Sequence, residues 1–341
     1  MRNPEKFEAF DLYAQICSLK KYSMNDKGSI DKFLVDINNS LSNVSDIQLY
    51  GKVTELAFFH MVKALKTVKF IKQEDIGECY CIQDIQIPDY KIVLPNNETI
   101  LVEVKNNNSN INKDFSISAK YYQNLSKYGQ LLKTDIYIAI YWRKFNLWTL
   151  NKLSAFKKIN KSYKISFSYA MMHNYMHILG DLNIGTKPKL SIRLYPTEEC
   201  YINDNVFDFI IGDTKIFCND VEVTKKIEKN LVLLFMFFSK WKSDSTVIQS
   251  QFDKKIEYLE FFSIPDEPEE EVNNQGFAML GFLSSIYTNY YRYIIAPNGE
   301  IENIYISKNL CVEIPNDYKG DSLPLWRFTV ISCDEKIKED Q

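Results

Sequence analysis

The chain has 341 residues, 45% apolar and 25% charged, with a formal charge of −3 at pH 7. That is the balance of an ordinary soluble globular protein, long enough for two domains, and it excludes a polycation that coats nucleic acid along its whole length. Seven scattered cysteines, an odd number, argue against a disulfide framework and for reduced thiols in a cytoplasmic protein.

In chain order, residues 1–48 predict a helical cap in two pieces, Glu5–Ser18 and Ser29–Leu41, broken at Asn25, Asp26 and Gly28. In the second, Ile30, Phe33, Leu34, Ile37 and Leu41 form a one-sided apolar stripe. A third helix is expected over Tyr50–Lys66, then a strand within Lys69–Gln83 centred on Cys79–Ile82. Cys79 and Cys81 share a strand face but lack a second thiol pair for zinc, and they read as plain thiols. Two β-type runs, Ile85–Leu94 and Thr99–Lys105, flank Pro95-Asn96-Asn97 and predict a hairpin. A polar loop at Asn106–Asn112, a helix over Phe115–Leu132 and a buried strand at Asp135–Trp142 follow.

Beyond about Leu150 the pattern changes. Asn151–Lys164 reads as basic and partly helical, and Ser166–Leu179 as a helix ending at Gly180. His173 and His177 stand four apart on that helix, without the glutamate of a zinc-protease pattern, and read as ordinary helix histidines. Short strands are expected at Leu190–Tyr195, Val206–Ile211 and Thr214–Cys218, and helices at Lys226–Trp241 and Gly276–Tyr291. Ile264–Val272 is an acidic, proline-broken linker, and Pro297-Asn298-Gly299 closes a hairpin before strands run through Ser332. The longest apolar run, Leu231–Phe238, is too short to span a bilayer, and the first six residues lack a signal-peptide core.

The chemistry concentrates in Asp84–Lys105. Side chains alternate along a strand, so Glu103 and Lys105 share one face while Val104 enters the core. Antiparallel pairing brings Asp89 to the same end of the sheet. Carboxylate oxygens suit Mg²⁺, which takes one or two protein carboxylates and keeps several waters. A lysine beside such an ion can hold or deprotonate the attacking water while the charge on a phosphate is stabilised. Between Val104 and Lys164 there are twelve Lys and Arg against two acids, Asp114 and Asp135. That bias suits salt-sensitive phosphate contact, though a lysine-rich surface would read the same way.

Pro88-Asp89 followed by Glu103-Val104-Lys105 resembles the PD-(D/E)xK nuclease superfamily, which includes restriction endonucleases and archaeal Holliday-junction resolvases. The resemblance covers about residues 45–150. It implies an α/β fold with a restriction-endonuclease-like core at 49–150, a central mixed β-sheet flanked by helices. The helical cap at 1–48 and an α+β part at 151–341, for target recognition, effector sensing or dimerisation, are read from their own elements. It further implies a DNA endonuclease of restriction or antiphage defence, using Mg²⁺ or in its place Mn²⁺. The expected metal ligands are Asp89, Glu103 and the Val104 carbonyl, with Lys105 orienting the water and Glu55 and Gln123 assisting. Lys113, Lys120, Lys127, Arg143 and Lys144 are expected to contact DNA, and a homodimer or higher oligomer is implied. The alternatives are a repair or recombination nuclease, an RNase, or a non-catalytic DNA-binding or assembly subunit with the same fold.

Overall fold

The computed structural model describes every residue except 1–3, 27, 75–78, 111, 203–207, 267–275, 307–311, 316 and 336–341, and only the backbone of 4–8. The chain divides into two compact units, Met1–Val53 and Thr54–Gln341. The first holds α1 (Pro4–Lys20), α2 (Ser29–Ser42) and the start of α3 (Asp46–Leu65). Tyr13 of α1 bonds Ser29 and packs edge-on against Phe33, tying the two helices together.

The second unit opens with β1 (Phe70–Gln73), β2 (Tyr90–Val93), β3 (Thr99–Asn107) and β4 (Phe115–Ser118), then α4 (Ala119–Leu132), β5 (Ile136–Trp142) and β6 (Leu147–Lys152). It continues through β7 (Lys157–Ile159), β8 (Ser162–Ile165), α5 (Phe167–Met172), β9 (Asn183–Thr186), β10 (Leu190–Pro196), β11 (Ile211–Cys218) and β12 (Val221–Glu222). The remaining elements are α6 (Lys226–Phe238), β13 (Lys242–Gln249), β14 (Ile256–Ile264), β15 (Ala278–Phe282), α7 (Leu283–Ile295) and β16 (Leu325–Phe328).

The central sheet has the order β1-β2-β3-β5-β6. It is mixed, because β3 and β5 run parallel and the other pairs antiparallel. All seven residues of β5 are buried, as a β-branched and aromatic strand covered on both faces requires. One face, built from Leu101, Ile136, Ile138, Ile140 and Trp142, packs on Leu125 of α4 and Ala170 of α5. The opposite face carries Tyr90, Tyr141 and Trp148. Phe58 of α3 packs on Tyr90 and Trp148 there, and Trp148 Nε1 donates to Thr288 of α7. A second sheet, β12-β11-β10-β14-β13, is antiparallel, and two three-stranded sheets, β15-β9-β16 and β4-β8-β7, complete the unit.

The hairpin forms about the predicted turn, with Tyr90 opposite Val102, Val93 opposite Thr99, and Asn97 at φ +68°. Its first strand is only Tyr90–Val93, residues 85–89 being irregular, and its second runs through Asn107 into the expected polar loop. The expected boundary near 150 does not separate compact units, because β6 crosses it and β8 pairs with β4. Other expectations are corrected. The first strand is β1, whereas Cys79–Ile82 is irregular, with Tyr80 and Ile82 exposed. Phe115–Ser118 pairs with β8, and the helix begins only after Ser118, whose hydroxyl caps it by accepting the Tyr121 N–H. Asn151–Lys164 is mostly strand, and its helical part is a single 3₁₀ turn at Leu153–Ala155.

The helix expected over Ser166–Leu179 stops at Met172. Asn174 accepts the N–H groups of Leu150 and Met176, and the Tyr175 N–H goes to Leu150, leaving a separate 3₁₀ turn before Gly180. The helix assigned to Gly276–Tyr291 starts as β15, held by β9. Pro297-Asn298-Gly299 follows α7 and closes no hairpin, and beyond it the described residues contain one strand, β16, paired with β9, instead of several. The strand expected over Val206–Ile211 and the linker Ile264–Val272 lie partly outside the described residues. No helix among the described residues is long and apolar enough to cross a membrane.

Candidate active site

The site forms where β2 begins beside the middle of β3. The ladder ends at Tyr90 opposite Val102, so the next β3 amide facing that edge, Val104, has no strand partner. Asp89 supplies one: its Oδ2 accepts the Val104 N–H at 2.6 Å. Asp89 is 8% exposed and Glu103 2% exposed. Two carboxylates are therefore buried side by side at the end of the hairpin.

Glu103 and Lys105 share the face that α4 covers. Glu103 Oε1 accepts from both the Lys105 ammonium and the Tyr121 hydroxyl, and Lys105 Nζ also reaches Tyr121 at 3.1 Å. The second oxygen, Oε2, is buried and has no hydrogen-bond partner among the described residues. Burial pushes the Asp89 carboxyl up to about 8; the charges of Glu103 and Glu55 add to this, while the Val104 N–H and Lys105 oppose it. For Lys105, burial alone would lower the ammonium, but Glu103 and Tyr121 raise it overall. Burial, then Glu103, raises the Tyr121 hydroxyl.

These features fit a divalent cation. A buried carboxylate oxygen without a donor, next to a second carboxyl that burial and repulsion keep from ionising, marks a deficit of positive charge. The donors are hard oxygens, which suit Mg²⁺ or Mn²⁺ rather than a thiophilic ion.

The remaining candidates are placed unevenly. Glu55 on α3 acts on Asp89 through its charge, and its backbone carbonyl accepts the Tyr90 hydroxyl. Gln123 is exposed on α4, and that helix enters the cluster through Tyr121 instead. Two residues along a helix turn the side chain by about 200°, so the pair cannot serve one face. Tyr121 is the participant that reading the sequence left without a role; its only signal is its place three residues after the capping Ser118. Lys113, Arg143 and Lys144 are exposed, with Lys144 bonded to Asn110 in the loop after β3. Lys120 pairs with Asp84 at 3.8 Å, and Lys127 donates to the Asp84 carbonyl at 3.3 Å.

No family model matches the chain, and no curated protein matches it in sequence. Among solved structures, Archaeoglobus fulgidus Hjc, a Holliday junction resolvase from an archaeal hyperthermophile, is similar over 32% of this chain and 85% of its own. The identity is 15% and the TM-score 0.27.

Proposed function

We propose that the chain is a divalent-metal-dependent endonuclease that hydrolyses phosphodiester bonds in DNA. The observation that carries this reading is the burial of Asp89 against Glu103, with Lys105 on the same face and one Glu103 oxygen left without a donor. Asp89 and Glu103 would hold Mg²⁺ or Mn²⁺, joined by the Val104 carbonyl, which leaves the strand on the same edge as the amide bound to Asp89. Such an ion, when bound, acidifies a coordinated water and offsets charge growing on the phosphate.

The chain's own groups do the positioning. Tyr121 and Lys105 fix Glu103 through its Oε1 and leave Oε2 available. Once the Glu103 charge is shared with a cation, Lys105 can turn a donor toward the attacking water or a phosphate oxygen. The exposed Lys113, Arg143 and Lys144 supply cations to neighbouring phosphates without reading bases. Cleavage of both strands would use two copies of the chain, and restriction or antiphage defence is the setting we favour for such an activity.

The test is nicking of supercoiled plasmid with Mg²⁺ by the parent, Glu103→Gln and Lys105→Ala. Each variant is expected to lose about a hundredfold or more in rate while still binding duplex DNA. Variants that cut like the parent would remove the assignment. Parallel incubations with single-stranded DNA and RNA separate a deoxyribonuclease from an RNase, and metal-independent binding without cleavage would identify a non-catalytic subunit.

A further inference from the structure

A second constellation lies apart from these carboxylates, in a part of the unit that the proposed nuclease chemistry does not use. His173 is the residue that ends α5, and its position is fixed: the buried Asn151 of β6 donates to its carbonyl at 2.7 Å. Residues 333–335 form a helical turn against it, started by the buried Ser332. That turn delivers Cys333 and Asp334 to the His173 ring from 160 residues further along the chain. Cys333 Sγ is 3.5 Å from His173 Nδ1, and Asp334 Oδ1 is 2.9 Å from the same nitrogen. One nitrogen, one sulfur and one oxygen thus lie within 4.8 Å of one another, each on a partly buried residue.

Two alternatives explain this cluster less well. A Cys–His–Asp relay for nucleophilic catalysis needs the thiol in line with one ring nitrogen and the acid on the other. Here the sulfur is 3.5 Å and 3.7 Å from the two nitrogens, so it faces the side of the ring and is in line with neither. A plain hydrogen-bonded pair of His173 and Asp334 would account for those two residues but gives Cys333 no function. Zn–N of about 2.0–2.1 Å and Zn–S of about 2.3 Å put a zinc-bound sulfur roughly 3.5–3.6 Å from Nδ1 but well beyond 3.7 Å from Nε2, so Cys333 completes the site by turning from the side of the ring toward its Nδ1 edge. Asp334 is also prepared as a ligand. Its other oxygen, Oδ2, accepts the Tyr175 hydroxyl at 2.9 Å, which leaves Oδ1 directed at the cluster, the kind of outer support that metal-bound carboxylates carry.

We propose that His173, Cys333 and Asp334 form a Zn²⁺ site that clips the Ser332–Glu335 turn onto the end of α5, with water as fourth ligand. The mixed N, S, O donor set suits zinc and not Mg²⁺, so the two sites of this chain select different ions. Binding at neutral pH displaces the thiol proton to solvent and leaves the metal oxidation state unchanged.

The experiment uses the full-length, reduced protein, with Zn²⁺ retention after dialysis and Co²⁺ as the spectroscopic probe. The parent is expected to retain one Zn²⁺ per chain and, with Co²⁺, to show visible bands of a four-coordinate ion plus a near-ultraviolet thiolate-to-cobalt band. Cys333→Ser, which changes little in volume, should lose the thiolate band, and His173→Gln should lose metal retention. Both should melt at an unchanged temperature when Zn²⁺ is added, whereas the parent's melting temperature rises. Plasmid nicking with Mg²⁺ should persist in Cys333→Ser. Absence of a thiolate band in the parent, or its persistence in Cys333→Ser through Cys79, Cys81 or another thiol, would overturn the proposal.

Discussion

Asp89→Asn is expected to stabilise the metal-free protein while removing the chemistry of its site. Burial, and next the charge of Glu103, lifts the Asp89 carboxyl from an ordinary 3.8 to about 8. A carboxyl raised in the folded state gives its full stability below the unfolded value and loses it as the pH rises through the folded one. The window is therefore about 3.8 to about 8. At about 1.4 kcal/mol per pH unit, those four units set an upper bound of about 6 kcal/mol. Water entry and relaxation around buried charge reduce this, and about 1–3 kcal/mol at mildly alkaline pH is the realistic share.

Asparagine keeps an oxygen for the Val104 N–H, so the 2.6 Å hydrogen bond survives while the titration disappears. In chelator the variant should melt a few degrees above the parent, at about 2–4 °C per kcal/mol, with a flatter profile from about pH 5 to about pH 9. Added Mg²⁺ should raise the parent's melting temperature and leave the variant's unchanged. Scanning calorimetry across this range measures both effects. A parent whose stability is level with pH in chelator, or a variant less stable than the parent there, would refute the idea that the two carboxyls are held against mutual repulsion.

Three further outcomes are expected. Burial, with help from Lys63, holds the His60 imidazole down at about 4, so His60 is neutral when folded and takes up a proton on unfolding. Its contribution is fully present above about 6.5, is lost as pH falls to about 4, and has an upper bound of about 3 kcal/mol. His60→Phe, which keeps the ring stack on Tyr291, should remove that share of the acid dependence of the urea midpoint. Gly129→Ala would place a Cβ 2.9 Å from the Thr134 carbonyl and 3.0 Å from Ile136, and chemical denaturation should show a loss of about 1–3 kcal/mol. Lys113→Ala and Lys144→Ala should each reduce the slope of log affinity against log salt by about one, uniformly across DNA sequences, in anisotropy titrations.

What could be read from the sequence was whatever local geometry dictates. Glu103 and Lys105 share a face because strand side chains repeat every two residues, and Pro95-Asn96-Asn97 closes the hairpin through backbone angles those residues adopt unaided. The buried strand at Ile136–Trp142 likewise follows from its own β-branched and aromatic run. The tertiary structure decided everything that depends on a distant partner. Pairing with β8 turned Phe115–Ser118 into a strand, which moved the start of α4 and brought Tyr121, not Gln123, to Glu103. Pairing with β9 overrode a helical pattern at Ala278–Phe282, and the Leu150 backbone ended α5 early. The raised carboxyl of Asp89 and the meeting of His173 with Cys333 belong to the same class: charge repulsion and ligand convergence arise only after burial brings remote residues together.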